Sequence, residues 1–381
     1  MAVITYKCPN CGGPLTWDAD KQAYFCDYCN SKFLQDELAK MRPESAAVQR
    51  ETAEPKQQPE GKKQEKEHSQ EAVSTDTQQT QKTAGTEAQT TLHYTCPNCG
   101  AEIMTDETTA AAFCYYCHNP VVLADRLSGD RLPDLVAPFE ISREKAREIF
   151  LAWVKRHRYI PKDFYNEKQI QLLSGVYFPY WIYSCEVHGA LEGDGKKLRT
   201  WTAGGFQFTE TSVYDISRSG SMQIEHVTRI ALKKASRVLC KAVMPFQMEK
   251  MRPFAPAYLQ GYSAEIRDIE KDALSEELSQ EIGRFAEERL REEAGGEYSS
   301  IDVKQLQTSV TKESWRYALM PVWTLTYRDP KSDKLYYFSV NGQTGKTCGV
   351  LPTDKVRLFR LFLLVFVPAF LLLLLMMYLL F

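Results

Sequence analysis

Cys8-Pro9-Asn10-Cys11, then fourteen residues, then Cys26-Asp27-Tyr28-Cys29 recurs 88 residues later as Cys96-Pro97-Asn98-Cys99, fourteen residues, and Cys114-Tyr115-Tyr116-Cys117. Two C-x-x-C knuckles at this separation bring four thiolates to the corners of a tetrahedron, the geometry of a structural zinc site. The repeat predicts two small four-cysteine zinc ribbons. One zinc is held by Cys8, Cys11, Cys26 and Cys29, the other by Cys96, Cys99, Cys114 and Cys117. The Gly after Cys11 and after Cys99 suits the tight turn of a knuckle. Protein fills every ligand slot, so both metals are expected to be structural, not catalytic. Modules with so little apolar content depend on metal for their fold.

Other readings of these cysteines are weaker. Disulfides need an oxidising compartment, and no signal peptide precedes Cys8. Thioredoxin-like sites use one C-x-x-C beside a βαβ unit, not two matched pairs. Cys114-Tyr115-Tyr116-Cys117-His118 formally matches a c-type haem attachment, but the equivalent of His118 in the first set is Asn30, and both cysteines already have partners. Cys185, Cys240 and Cys348 are isolated and read as buried reduced thiols.

Working outward, five stretches differ in composition. Residues 1–42 form the first ribbon with a short helical tail. No aromatic ring of Phe, Tyr or Trp occurs between Phe33 and Tyr94, and 43–91 is rich in Gln, Glu, Lys and Thr. Such a segment cannot bury enough apolar surface to offset its ordering entropy, so it reads as a disordered linker. A coil of that length spans on the order of 35–40 Å, which would let the first ribbon swing freely. The second ribbon occupies 92–130, and 131–352 reads as an α+β domain with an antiparallel sheet. Within it, Ser142 is placed to cap a helix with Ala146, Ile149, Phe150, Trp153 and Val154 on one face. Runs at 176–187 and 206–216 read as strands, and 264–294 as an amphipathic helix stopped by Gly295 and Gly296. Segments 317–327 and 335–340 read as a hairpin, with a further turn at Asn341-Gly342-Gln343-Thr344-Gly345.

The fifth stretch, 353–381, is the membrane anchor. Residues 361–381 carry no charge, and as a helix they would measure about 31 Å, matching a bilayer core of about 30 Å. Pro368 is tolerated in such a span. Lys355, Arg357 and Arg360 precede it, so the positive-inside rule predicts a single-pass cell-membrane protein whose N-terminal bulk is cytoplasmic. With nothing following the span, the chain reads as tail-anchored.

Charge decides what the ribbons are expected to touch. The 381 residues carry 47 Lys plus Arg against 49 Asp plus Glu, a net charge of -2. That balance excludes a strongly basic nucleic-acid binder, and a mean hydropathy of -0.39 excludes a polytopic membrane protein. Residues 94–120 hold no Lys or Arg but do hold Glu102, Asp106 and Glu107. In the first ribbon Lys7, Lys21 and Lys32 balance Asp18, Asp20 and Asp27. Phosphate binding needs a basic surface, so protein partners are favoured over nucleic acid. No Walker loop, H-E-x-x-H, G-x-S-x-G or dinucleotide fingerprint occurs, and the six histidines are scattered, which argues against an enzyme.

The start Met1-Ala2-Val3-Ile4-Thr5-Tyr6-Lys7-Cys8-Pro9-Asn10-Cys11-Gly12-Gly13, the block Gly175-Val176-Tyr177-Phe178-Pro179-Tyr180-Trp181 and the run Tyr317-Ala318-Leu319-Met320-Pro321-Val322-Trp323 ahead of Asn341-Gly342-Gln343-Thr344-Gly345-Lys346 carry a resemblance. With the two ribbons, they resemble the Firmicutes proteins labelled transcription-factor-IIB-type zinc-ribbon proteins, which end in a hydrophobic anchor. The resemblance covers most of the chain outside the linker. It implies a part in recruiting a membrane-stress complex. The expectation is a non-enzymatic, membrane-anchored adaptor or scaffold that recruits partner proteins in an envelope-stress response. The alternative is a membrane-tethered nucleic-acid-binding regulator.

Overall fold

The structure is a computed structural model that describes residues 3–34, 92–235 and 242–380, apart from Pro97, Tyr115, Arg158 and Lys331, together with Glu37 and the pair Glu44–Ser45. The linker expected over 43–91 lies outside the described residues except for that pair. So do Cys240 and most of the helical tail of the first module.

Three long strands organise the large domain. Ser174–Ala203 turns at Gly204-Gly205 into Phe206–Ile230, its antiparallel neighbour, and Ser300–Arg328 runs antiparallel along its other side. Both turn glycines have positive φ, +56° and +84°, as a tight hairpin turn requires. The two blocks 175–181 and 317–323 are direct neighbours, with Gly175 opposite Trp323 and Trp181 opposite Tyr317. These strands are far longer than the runs expected at 176–187 and 206–216. Beyond Leu191 the first strand reads Glu192-Gly193-Asp194-Gly195-Lys196-Lys197-Leu198-Arg199-Thr200-Trp201-Thr202-Ala203, with one face or both in solvent, so no sustained apolar period marks it as strand.

The sheet is mostly antiparallel, as expected, but holds two parallel pairings: Leu135–Val136 with Ser300–Arg328, and Ser263–Glu265 with Ser174–Ala203. The second of these corrects the start of the amphipathic helix. The helix begins at Asp272, not at 264. Tyr262, Ala264 and Ile266 alternate into the core, and the Ile266 and Asp268 amides donate to Thr108 O and Ala231 O, so sheet bonds claim this backbone first. From there Leu274, Leu278, Ile282, Ala286, Leu290 and Ala294 form the buried stripe, while Phe285 faces out. The stripe packs on Tyr183, Cys185, Val187 and Leu191 of the first long strand.

The expected helix at Ser142 is present as Arg143–Arg156, with Ser142 Oγ accepting from the Lys145 amide at 3.4 Å. The hairpin Ser300–Arg328 to Leu335–Asn341 and the turn after it are also present. Asn341, fully buried, accepts from the Gln343 and Thr344 amides and donates to Val243 O and Pro245 O, so all its polar atoms are bonded. At the C-terminus Lys355–Leu380 is one helix, and its stretch Leu358–Met377 has a mean hydropathy of 2.8 with no part buried.

Candidate metal centres

Each four-cysteine module is a stack of short hairpins. In the first, Leu15–Asp18 pairs with Ala23–Cys26, which pairs with Lys32–Phe33. In the second, Leu92–Thr95 pairs with Glu102–Thr105, and Thr109–Phe113 with Pro120–Leu123. The knuckles hang between these strands. The Cys8, Cys26, Cys96 and Cys114 amides each donate to the carbonyl five residues on, at Gly13, Ser31, Ala101 and Asn119. The residue after the second cysteine of each knuckle is left-handed: Gly12 at φ +74°, Asn30 at +56°, Gly100 at +74° and His118 at +54°. That conformation explains His118. It holds the position that Asn30 holds in the first module, and its amide donates to Cys114 O at 2.9 Å. Its role is to close a turn.

The geometry brings together all eight cysteines singled out by spacing. In each module the four Sγ atoms lie within 4.8 Å of one another, a placement suited to a metal ion. Cys8 and Cys29 are 3.4 Å apart, as are Cys11 and Cys26. Cys96–Cys117 and Cys99–Cys114 are each 3.7 Å apart. In both cages the first cysteine of each knuckle is buried, while the second is exposed in the first module and exposed or half-buried in the other. Outside them, Cys185 is buried and Cys348 half-buried.

Four thiols this close cannot all ionise alone. In the first cage Ser31, whose Oγ is 3.2 Å from Cys29 Sγ, bonds to that sulfur through its hydroxyl and its amide and lowers its pKa to about 6. The Gly13 amide favours the Cys11 thiolate, but the Cys26 and Cys29 sulfurs outweigh it and push Cys11 up to about 12. The second cage repeats the split. Asn98 leads in lowering Cys117 to about 6, while desolvation leads in raising Cys96 to about 12. A divalent cation removes this conflict by favouring all four thiolates together. The donor set therefore fits a bound metal.

The two modules differ where they meet the rest of the chain. Pro120–Leu123 pairs with Val3–Thr5, and Thr109–Phe113 pairs with Ser263–Glu265, so both modules join the large sheet. The first module does not swing freely. Trp17 is buried, its indole N–H donates to Phe139 O at 3.2 Å, and its ring meets Tyr24 and Tyr258 edge-on. The Trp17 amide donates to Gln260 O at 3.3 Å, and the Gln22 side chain also reaches Phe139 O. At the matching positions, 88 residues on, the second module has Thr105 for Trp17 and Ala112 for Tyr24. Docking through an aromatic wedge thus belongs to the first module. Reading cysteines alone missed it, although the one-sided Trp17 and Tyr24 were its visible signal.

No family model matches this chain, and no solved structure matches it. Over 353 residues, covering 93% of this chain and 91% of the relative, it is 25% identical to the uncharacterized protein YdjG of Bacillus subtilis strain 168.

Proposed function

We propose that this chain is a non-enzymatic, zinc-binding adaptor, fixed to the cell membrane by its C-terminal helix, with its bulk in the cytoplasm and its four-cysteine modules docking partner proteins. The observation that carries this reading is the combination of two closed four-sulfur cages with a fully exposed apolar helix of membrane length. Soft thiolates in a set of four suit zinc, and a closed set favours a structural ion over a catalytic one. Cys8, Cys11, Cys26 and Cys29 would hold one ion and Cys96, Cys99, Cys114 and Cys117 the other. Zinc there supplies cross-linking of the hairpins, not chemistry.

Each cage carries an exposed tyrosine on its second knuckle, Tyr28 at 76% and Tyr116 at 74% exposure. Exposed aromatics beside an acidic, thiolate-rich surface support recognition of protein, since phosphate would be repelled. The docked first module sharpens the picture: the chain presents the cages from a fixed platform. The family resemblance supplies envelope stress as the setting. Membranes bearing the full chain, extracted with mild detergent, should yield two zinc ions per chain and co-purifying proteins. Tight, salt-sensitive DNA binding in a mobility shift would overturn this in favour of the membrane-tethered regulator, and a covalent haem absorbance band would overturn the zinc assignment.

A further inference from the structure

The first two long strands continue past everything that covers them. The helix Asp272–Gly295 lies over the odd-numbered residues of the first strand, with Leu290 against Gly189 and Leu191, and after it Tyr298 sits on Gly195. The third strand starts at Ser300, opposite Lys196. From residue 197 outward only two strands remain among the described residues. The face that the helix covers lower down runs on as Arg199 opposite Glu210, Trp201 opposite Phe208 and Ala203 opposite Phe206. Trp201 and Phe208 stack at 5.7 Å and 17°. A bare two-stranded ribbon is marginal in water and gains from something to cover it.

Composition says what that cover is. Residues 200–209 hold no charge at all. Apolar side chains stand on both faces of the end: Trp201, Phe206 and Phe208 on one, Leu198 and Val213 on the other, and all five are exposed. A protein surface covers one face, whereas lipid surrounds a tip. Behind the apolar end lie Lys196, Lys197 and Arg199, and Glu210 is the one acid directly across the hairpin from them. Lys196 also meets Asp302 at 3.6 Å, Lys197 lies over Tyr214 and Tyr298, and Arg199 over Trp201. A tryptophan-bearing apolar tip with a cationic collar matches the interface of an anionic bilayer.

We propose that this β-arm dips its tip into the interface of the same membrane that holds the C-terminal helix, an inference that rests on the membrane-anchor reading above. The apolar helix leaves the domain near Tyr159 and Tyr337, since the Asp354 amide donates to Tyr159 O and the Val350 amide to Tyr337 O. That is the Ser174 end of the sheet, because Thr326 pairs with Tyr337 and Thr324 with Ser174. The tip lies 29 residues along the strand, on the order of 90 Å away if fully extended. The arm then rests along the bilayer as a second point of contact. Tethering by the helix keeps that one surface at high effective concentration.

The test uses the full chain reconstituted in anionic vesicles of phosphatidylcholine and phosphatidylglycerol, with or without bromine on the acyl chains, which quenches nearby indoles. Trp201 is the exposed member of the six tryptophans, and subtracting the spectrum of Trp201→Phe isolates it. The expected result is an about twofold loss of Trp201 emission in brominated host vesicles. That loss should vanish in a Phe206→Glu/Phe208→Glu variant that keeps Trp201. Equal emission with and without bromine overturns the proposal, and so does quenching only when added protein-free vesicles carry the bromine. Carbonate washing separates the two readings: a chain that washes off ends both, and a chain that is retained but unquenched ends this one alone.

Discussion

The indole N–H of Trp17 donates to the backbone carbonyl of Phe139 at 3.2 Å, across 122 residues of chain. Phe139 in turn stacks on Tyr262 at 4.1 Å and meets Trp323 at 5.1 Å, so one tryptophan links the first cage to the centre of the sheet. The attachment is specific to the first module and is made of burial plus a few directed bonds, from the Trp17 indole and the Gln22 side chain to Phe139 O and from the Trp17 amide to Gln260 O.

Trp17→Ala should therefore free the first module without unfolding the sheet. Truncating a buried tryptophan costs about 3–5 kcal/mol. Hydrogen exchange should rise across residues 3–34 and around 258–262 and stay unchanged in the helix Asp272–Gly295. Thr105→Ala, the matching change in the second module, should leave exchange in the first module as it was.

Cys8→Ser should remove one of two metal ions and leave the other. Elemental analysis of the purified chain reads this directly. Retention of two ions would mean that the first cage is not a four-sulfur site.

Metal uptake should release protons and strengthen as pH rises. In the metal-free chain Cys11 and Cys96 sit near pKa 12, so both are protonated at neutral pH and must ionise to bind. Cys29 and Cys117 sit near 6, below an ordinary thiol. Their ionised forms favour the folded, metal-free state above the unfolded thiol range near 8.5–9, and that contribution is lost as pH falls through about 6. Calorimetry of zinc binding in buffers of different ionisation enthalpy measures the proton count; a slope of zero would contradict the cage electrostatics.

Gly189 lies tightly beneath the helix, since a Cβ there would lie 2.5 Å from Leu290 Cδ1. Gly189→Val should destabilise by roughly 1–3 kcal/mol through overpacking. Adding Leu290→Ala should relieve part of that penalty, so the two changes will not add. Additive losses in denaturant melts would show that the helix can shift to make room.

What the sequence disclosed follows the range of each interaction. The cages were legible because a knuckle is built from six consecutive residues, and the C-terminal helix because a bilayer-length apolar run needs no partner. The helix at Ser142 carried its own cap. Trp17 and Tyr24 hinted at a docking face, but their partners Phe139, Gln260 and Tyr258 were not legible because they lie over a hundred residues away. Strand Ser263–Glu265 was absorbed into a helix because Ile266, Ile269 and Ala273 happen to fall at helical spacing, while the bonds that make it a strand come from Thr108, Ala231 and the first long strand. The long arm was cut short because its covered face is largely Gly189, Gly193 and Gly195, which leave no apolar period, and its outer end is an uncovered ribbon.

If the cages, held at a membrane, present a protein-docking surface, partners should lie within reach of the exposed knuckle tyrosines. Photo-crosslinking in intact membranes, with a benzophenone amino acid placed at Tyr28 and separately at Tyr116, tests it most directly. Discrete protein adducts are expected, and they should disappear when Cys8→Ser or Cys96→Ser opens the corresponding cage. Adducts to nucleic acid, or protein adducts that persist unchanged with the cage opened, would contradict it.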